Sequence, residues 1–271
     1  MGLEKDISAY VHPQEKEVTQ RLYDNLISEE YCNQLMENYK LFDLETELPD
    51  YIGKCLEVNS RQMPELHEMV SSLSRELDVA IPKVYVFESY YFSTSAEGLD
   101  KPWIQVSTKT LENFDEDELR FIIARELVHI KLGHMKWEVL CEQFAKNITT
   151  ASDIIAIPGF ATSSKQAFEI YADRFKLISA NWNRVSEYSA DRCALVLCDW
   201  NMKAAVSAIL KQILNSSLLA QNVNLSSFLN QTEAIMSFTT NAAKYTRMDE
   251  AVPYGPFRLK ELIAFASTKQ L

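Results

Sequence analysis

A chain of 271 residues with 47% hydrophobic and 24% charged side chains has an ordinary globular composition, and its length suits one enzyme-sized core with peripheral elements. A net charge of −11 argues against binding nucleic acid or an anionic lipid surface by bulk electrostatics, since both need a cationic face. Only 6 glycines and 8 prolines punctuate the sequence, so long helices are expected to dominate an α+β, mainly α-helical fold.

The opening segment, Met1 to Asp6, has no apolar core for secretion, and Asp6 stands where a myristoylation signal wants Ser or Thr. Cys32, Cys55, Cys141, Cys193 and Cys198 are odd in number, scattered and without C-x-x-C spacing. They read as reduced, mostly buried thiols in a cytoplasmic protein. From Pro13 to Tyr39, Val18, Leu22, Leu26, Leu35 and Tyr39 recur at helical spacing with a break near Ser28. A helical N-terminal extension over 1–60 is therefore expected ahead of a main domain over 61–271. Pro64 suits the first turn of a helix over 64–77, beside whose stripe His67 reads as a structural histidine.

The runs at 83–87 and 103–107 read as strands, and the polar stretch 93–101 between them as a segment able to pair at a sheet edge. Asp115 to Glu118 places acids at the start of the next helix, where they favour the positive end of its dipole, and Gly133 is expected to end it. Helices are then predicted over 135–149, 165–177, 184–199, 202–214, 225–239 and 258–265. Flexible connections are expected at 215–224 and 244–255. The apolar run 148–160 is too short to cross a membrane, carries Asp153 and is broken by Pro158-Gly159, so no transmembrane segment is expected.

Chemistry concentrates in two helices. Arg125-Glu126-Leu127-Val128-His129 has the form of the zinc-protease motif H-E-x-x-H with arginine at the first histidine position. In an intact motif, histidines four apart share a helix face and reach one metal ion, and the glutamate aims at the metal-bound water. Glu187 and Asp191, also four apart, could divide two tasks, one carboxylate facing the metal and the other holding a ligand's second nitrogen. His134 lies about 140° around the helix from His129 and reaches the same site only if the helix breaks at Gly133. A structural, capping or supporting role is the plainer reading of it. His12 has no partner visible in the sequence, and Cys141 and Cys193 read as buried thiols. No P-loop, dinucleotide fingerprint, nucleophile elbow or basic aromatic array is present.

Taken together, RELVHIKLGH at 125–134, EYSAD at 187–191 and VPYGPFR at 252–258, with MPELHEM near 63 and DEDELRF near 115, resemble the zinc metallopeptidases related to the CAAX prenyl protease and the HtpX-like proteases. Their pattern is H-E-L-x-H-x-x-x-G-H, E-x-x-A-D and a late H-P-x-x-x-x-R. The resemblance covers roughly residues 60 to 265 and implies a zincin-like domain with a small sheet beside the motif helix. It implies His129 and Glu187 as metal ligands, Glu126 as general base, Asp191 as orienting acid and Arg258 as a structural or transition-state partner. The chain departs from the pattern at Arg125, at Val252 in place of the late histidine, and at Ser93-Thr94-Ser95, where relatives carry an Asn-Ala-Phe edge strand that holds substrate backbone.

Arginine stays protonated and offers no lone pair, so zinc, the cofactor the resemblance implies, is expected to be weakly held or absent here. Its guanidinium is expected either to pair with Glu187 or Glu126 as a cationic stand-in for the metal or to swing out of the cleft into solvent. Two functions follow. One is a pseudopeptidase that binds a peptide or protein partner, without nucleic acid; the other is an active zinc endopeptidase using Glu126 as base with His129, Glu187 and a further ligand.

Overall fold

The structure is a computed structural model describing residues 7–26, 29–155 and 162–268, with backbone alone over 147–155 and 162–168. A 3-10 turn (Ile7–Tyr10) leads into α1 (Glu15–Tyr23), α2 (Glu29–Phe42), a π-helical turn (Asp43–Glu47) and α3 (Leu48–Lys54). Strand β1 (Leu56–Glu57), α4 (Pro64–Glu76), β2 (Lys83–Phe87), β3 (Thr94–Glu97), β4 (Trp103–Ser107) and α5 (Thr108–Asn113) follow. The remainder is helical: α6 (Glu116–Leu132), α7 (His134–Ile155), α8 (Thr162–Leu197), α9 (Met202–Leu214), α10 (Ser217–Gln221), α11 (Leu225–Ser237), α12 (Asn241–Asp249) and α13 (Gly255–Thr268). No helix of the described residues is long and apolar enough to cross a membrane, and the run 148–160 lies partly outside those residues.

The sheet has the order β1-β2-β4-β3, with β2 and β4 parallel and both outer pairs antiparallel. Every residue of β4 is buried, as its central place between two partners requires. β3 pairs with β4 from Thr94 opposite Val106 to Glu97 opposite Trp103, and no strand of the described residues pairs with its outer edge. The main core joins the sheet to α4, α6, the end of α8, α9 and α13 through residues such as Leu73, Ile104, Phe121, Leu127, Leu195, Ile209 and Leu262. A second cluster of Leu22, Phe144, Phe175 and Trp182 joins α1, α7 and α8.

Helix α6 starts on a full capping box, in which the Asp115 side chain accepts from the Glu118 backbone and the Glu118 side chain accepts from the Asp115 backbone. The buried Glu118 carboxylate also meets Lys211 Nζ at 2.6 Å, tying α6 to α9. Gly133 ends α6 in the left-handed conformation (φ 68°), and α7 begins at the next residue.

Several expectations need correction. The helices predicted over 165–177 and 184–199 are one continuous α8. Between the two predicted helices, Ile178 and Trp182 are buried in the cluster shared with α1 and α7, and that burial carries the helix through. The connection expected at 215–224 contains α10, capped by Ser216, and that at 244–255 is largely α12, capped by Thr240. The last helix starts at Gly255 rather than Arg258. Short elements β1, α3 and α5 have too few residues to show a period.

Candidate functional site

Helix α6 lies along α8, and the two bring the motif residues to one cleft of about 310 Å³. Arg125, Glu126 and His129 line it from α6, Glu187 from α8, Arg258 from α13, Glu138 from α7, and Thr94 to Glu97 from the free edge of β3. Val252 and Ile213 complete its apolar part. The predicted residues thus meet in space, although Asp191 sits just behind the wall, 1% exposed.

Arg125, 4% exposed, occupies the centre of a buried ion network. Its Nε donates to Asp191 Oδ1 at 2.6 Å and its Nη2 to Glu187 Oε2 at 2.5 Å, while Glu126 Oε1 lies 3.8 Å from Nη1. Arg258 grips the same Asp191 with two donors, Nε to Oδ2 at 2.7 Å and Nη2 to Oδ1 at 2.8 Å, and passes 3.7 Å from Glu187. Such fork-to-carboxylate pairing fixes orientation as well as charge. The expectation of a partner among Glu187 and Glu126 is met at Glu187. Asp191, expected to hold a ligand's second nitrogen, instead accepts from two guanidiniums and from no histidine.

Charge states follow from this geometry. Burial alone would raise the Glu187 pKa, but Arg125 and then Arg258 outweigh it and leave the carboxylate below its ordinary range. Burial raises Glu126, with Arg125 opposing only in part; the Thr94 hydroxyl donates to its Oε1 at 3.0 Å. His129 is pushed well below the ordinary imidazole range by burial and then by His134 and Arg125, so it is neutral. Burial, with neighbouring acids adding to it, lifts Glu97 to about 7 and Glu138 to about 8. Glu138 is exposed on the cleft, within reach of the charges of Glu187, Glu97 and Glu126.

His134 stands behind His129 and does not line the cleft itself. The left-handed turn at Gly133 redirects the chain, and His134 Nδ1 lies 2.8 Å from His129 Nδ1, so one nitrogen donates to the other. On its far side His134 Nε2 is 3.2 Å from Glu15 Oε1, a contact supplied by α1. His12 also has partners: its backbone N–H donates to Ser189 Oγ at 3.0 Å, and its ring lies 3.5 Å from Glu261. Sequence reasoning missed Glu15, Glu97 and Glu138, since none belongs to a motif and only the folded chain brings them near α6.

The residues present do not fit a catalytic zinc, which takes three side-chain donors and keeps a position open. Among the described residues no three His, Cys, Asp or Glu side chains form a group able to hold a metal ion. The guanidinium of Arg125 stands against Glu187, and a group with no lone pair cannot coordinate.

Comparisons with known proteins agree on ancestry. A Protease HtpX homolog of Salinibacter ruber is 34% identical over 98 residues, covering 35% of this chain and 36% of the relative. The Plastoglobule-localized metallopeptidase 48, chloroplastic, of Arabidopsis thaliana is 26% identical over 189 residues, 68% of this chain and 50% of the relative. Protease HtpX of Pseudomonas fluorescens is 38% identical over 72 residues, 26% of this chain and 24% of the relative. The matches therefore span half or less of these relatives' own length. No solved structure matches. The profile of Peptidase family M48 matches residues 60–251, a span that takes in the α6 and α8 motifs and β3, and the chain belongs to that family.

Proposed function

We propose that this chain is a peptidase-family protein that has lost ordinary zinc-dependent hydrolysis and uses the inherited cleft to bind a peptide or protein segment along β3. One observation carries the reading: the Arg125 guanidinium donates to both Glu187 and Asp191, filling with a fixed positive charge the place where the family resemblance expects the first zinc ligand. A water without a tightly held metal keeps its high pKa, so Glu126 has no activated nucleophile to generate. β3 is the edge strand of the sheet among the described residues and lines the cleft, so an added strand could pair along it. A cytoplasmic location fits the five unpaired cysteines.

The test is metal content by mass spectrometry on protein purified without chelators, beside an Arg125→His variant. Stoichiometric zinc in the variant alone supports the reading; about one tightly held zinc in the natural chain overturns it. A second reading, an active zinc endopeptidase, draws on Glu126, His129 and Glu187 still facing one cleft. Peptide hydrolysis abolished both by a chelator and by Glu126→Gln would establish it.

A further inference from the structure

The cleft has more acidic side chains than basic ones. Four carboxylates line it, those of Glu97, Glu126, Glu138 and Glu187, against two guanidiniums, those of Arg125 and Arg258. Both guanidiniums are committed to the wall formed by Glu187 and Asp191. Among the described residues that line the opposite side, between β3 and α7, there is no Lys or Arg.

Three polar groups there are left with capacity to spare. Glu126, whose side chain is only 6% exposed, uses Oε1 for Thr94 and for its approach to Arg125, and Oε2 has no hydrogen-bond partner among the described residues. His129, at 7%, spends Nδ1 on His134, and its Nε2 makes no hydrogen bond, the nearest acid being Glu187 Oε1 at 3.7 Å. Glu138 meets no donor among the described residues. Two nine-tenths-buried side chains therefore aim open positions into a small cavity, and an acid without a counter-ion stands across from them. Burying a carboxylate is costly unless it is paired, so these groups favour an occupant that brings positive charge and several N–H donors.

We infer that the segment this cleft takes is a basic one: a strand added beside β3 directs a Lys or Arg side chain among Glu97, Glu126 and Glu138. The inference rests on the peptide-binding reading above and adds what that reading leaves open, the chemistry of the bound residue. A metal ion is the other cation of suitable charge, but the described side chains do not gather into a metal-holding group. The stem of a lysine also suits a cavity that has Ala96, Ile213 and Val252 on its apolar side.

The test uses the full chain and a panel of short, extended, fluorescent peptides identical except for one position, occupied in turn by Lys, Arg, norleucine or Glu, with affinity read by polarisation in the presence of a chelator. Lys and Arg peptides should bind about tenfold or more tightly than the norleucine peptide, the value of a charge-assisted hydrogen bond. Glu138→Gln and, separately, Glu97→Gln should reduce that preference several-fold while the norleucine peptide binds as before. Norleucine or Glu peptides binding as tightly as Lys peptides would overturn the inference and leave peptide binding standing. A preference unaffected by either substitution would also overturn it, by moving the charge recognition elsewhere. Binding of no peptide at all would remove both readings.

Discussion

Arg125 is enclosed by carboxylates that would otherwise be buried with half their compensation. Removing it leaves Glu187 beside Arg258 alone and Asp191 with one clamp instead of two. Breaking a buried pair in this way costs about 3–5 kcal/mol, so Arg125→Ala should lower the melting temperature markedly in metal-free buffer, a shift read by circular dichroism. An unchanged or higher value would refute the stand-in role. Glu187, held below its ordinary range by the guanidiniums, contributes stability that is present above the usual carboxylate pKa and lost as pH falls through its lowered value. Glu138 acts in the opposite sense. Its pKa rises from 4.5 in the unfolded chain to about 8, so the folded state binds the proton more tightly and loses stability as pH climbs between those values. Glu138→Gln should therefore raise the melting temperature at pH 8 and change it little at pH 4.5; an equal effect at both would show that the carboxylate is ordinary. At this scale the sequence was informative for Arg125, because a guanidinium at a ligand position admits few roles. It was silent on Glu97 and Glu138, which become neighbours of Glu126 only through the pairing of β3 and the run of α7.

Among the elements, the legible ones had strong local signals. Met202–Leu214 reads as a helix from its apolar period and folds as one, and 83–87 and 103–107 are strands with the predicted bounds. The unbroken length of α8 was not legible, because what holds Ile178 to Trp182 in a helix is contact with α1 and α7. His134 was read as reaching His129 only through a break at Gly133, and the left-handed turn there supplies that break. The sign of one backbone angle at Gly133 decides whether it lies across the helix or against His129. The other left-handed glycine among the described residues, Gly98, follows β3 with φ 79°, and a Cβ there would stand 2.4 Å from the ring of Trp103. That ring is 1% exposed and has no room to yield. Gly98→Ala should cost about 2–4 kcal/mol by chemical denaturation and displace the edge strand. Gly133→Ala, whose Cβ would meet nothing within 4 Å, should cost only the backbone strain, about 1 kcal/mol. Equal losses at the two positions would contradict the crowding at Gly98.

For the molecule as a whole, α8 joins two of the hydrophobic clusters: it carries Trp182 into the smaller of them, Glu187 and Asp191 into the ion network, and Leu195 into the larger one. The residues before 60 take part in both. Ile7 is buried in the main core, Leu22 in the smaller, and Glu15 reaches His134. A chain beginning at residue 60, where the family match starts, should consequently melt well below the full chain and expose apolar surface, measurable by dye binding and thermal denaturation. Comparable stability would show that these contacts are incidental. The network around Arg125 has one more consequence, in the economy of the cell. A cation carried on the chain arrives at translation in a fixed ratio of one per molecule, cannot be stripped or exchanged, and competes with no other protein for a scarce ion. With Arg125 in the metal's place, as proposed above, cells starved of zinc would leave zinc-dependent peptidases empty while this chain kept its buried charges neutralised.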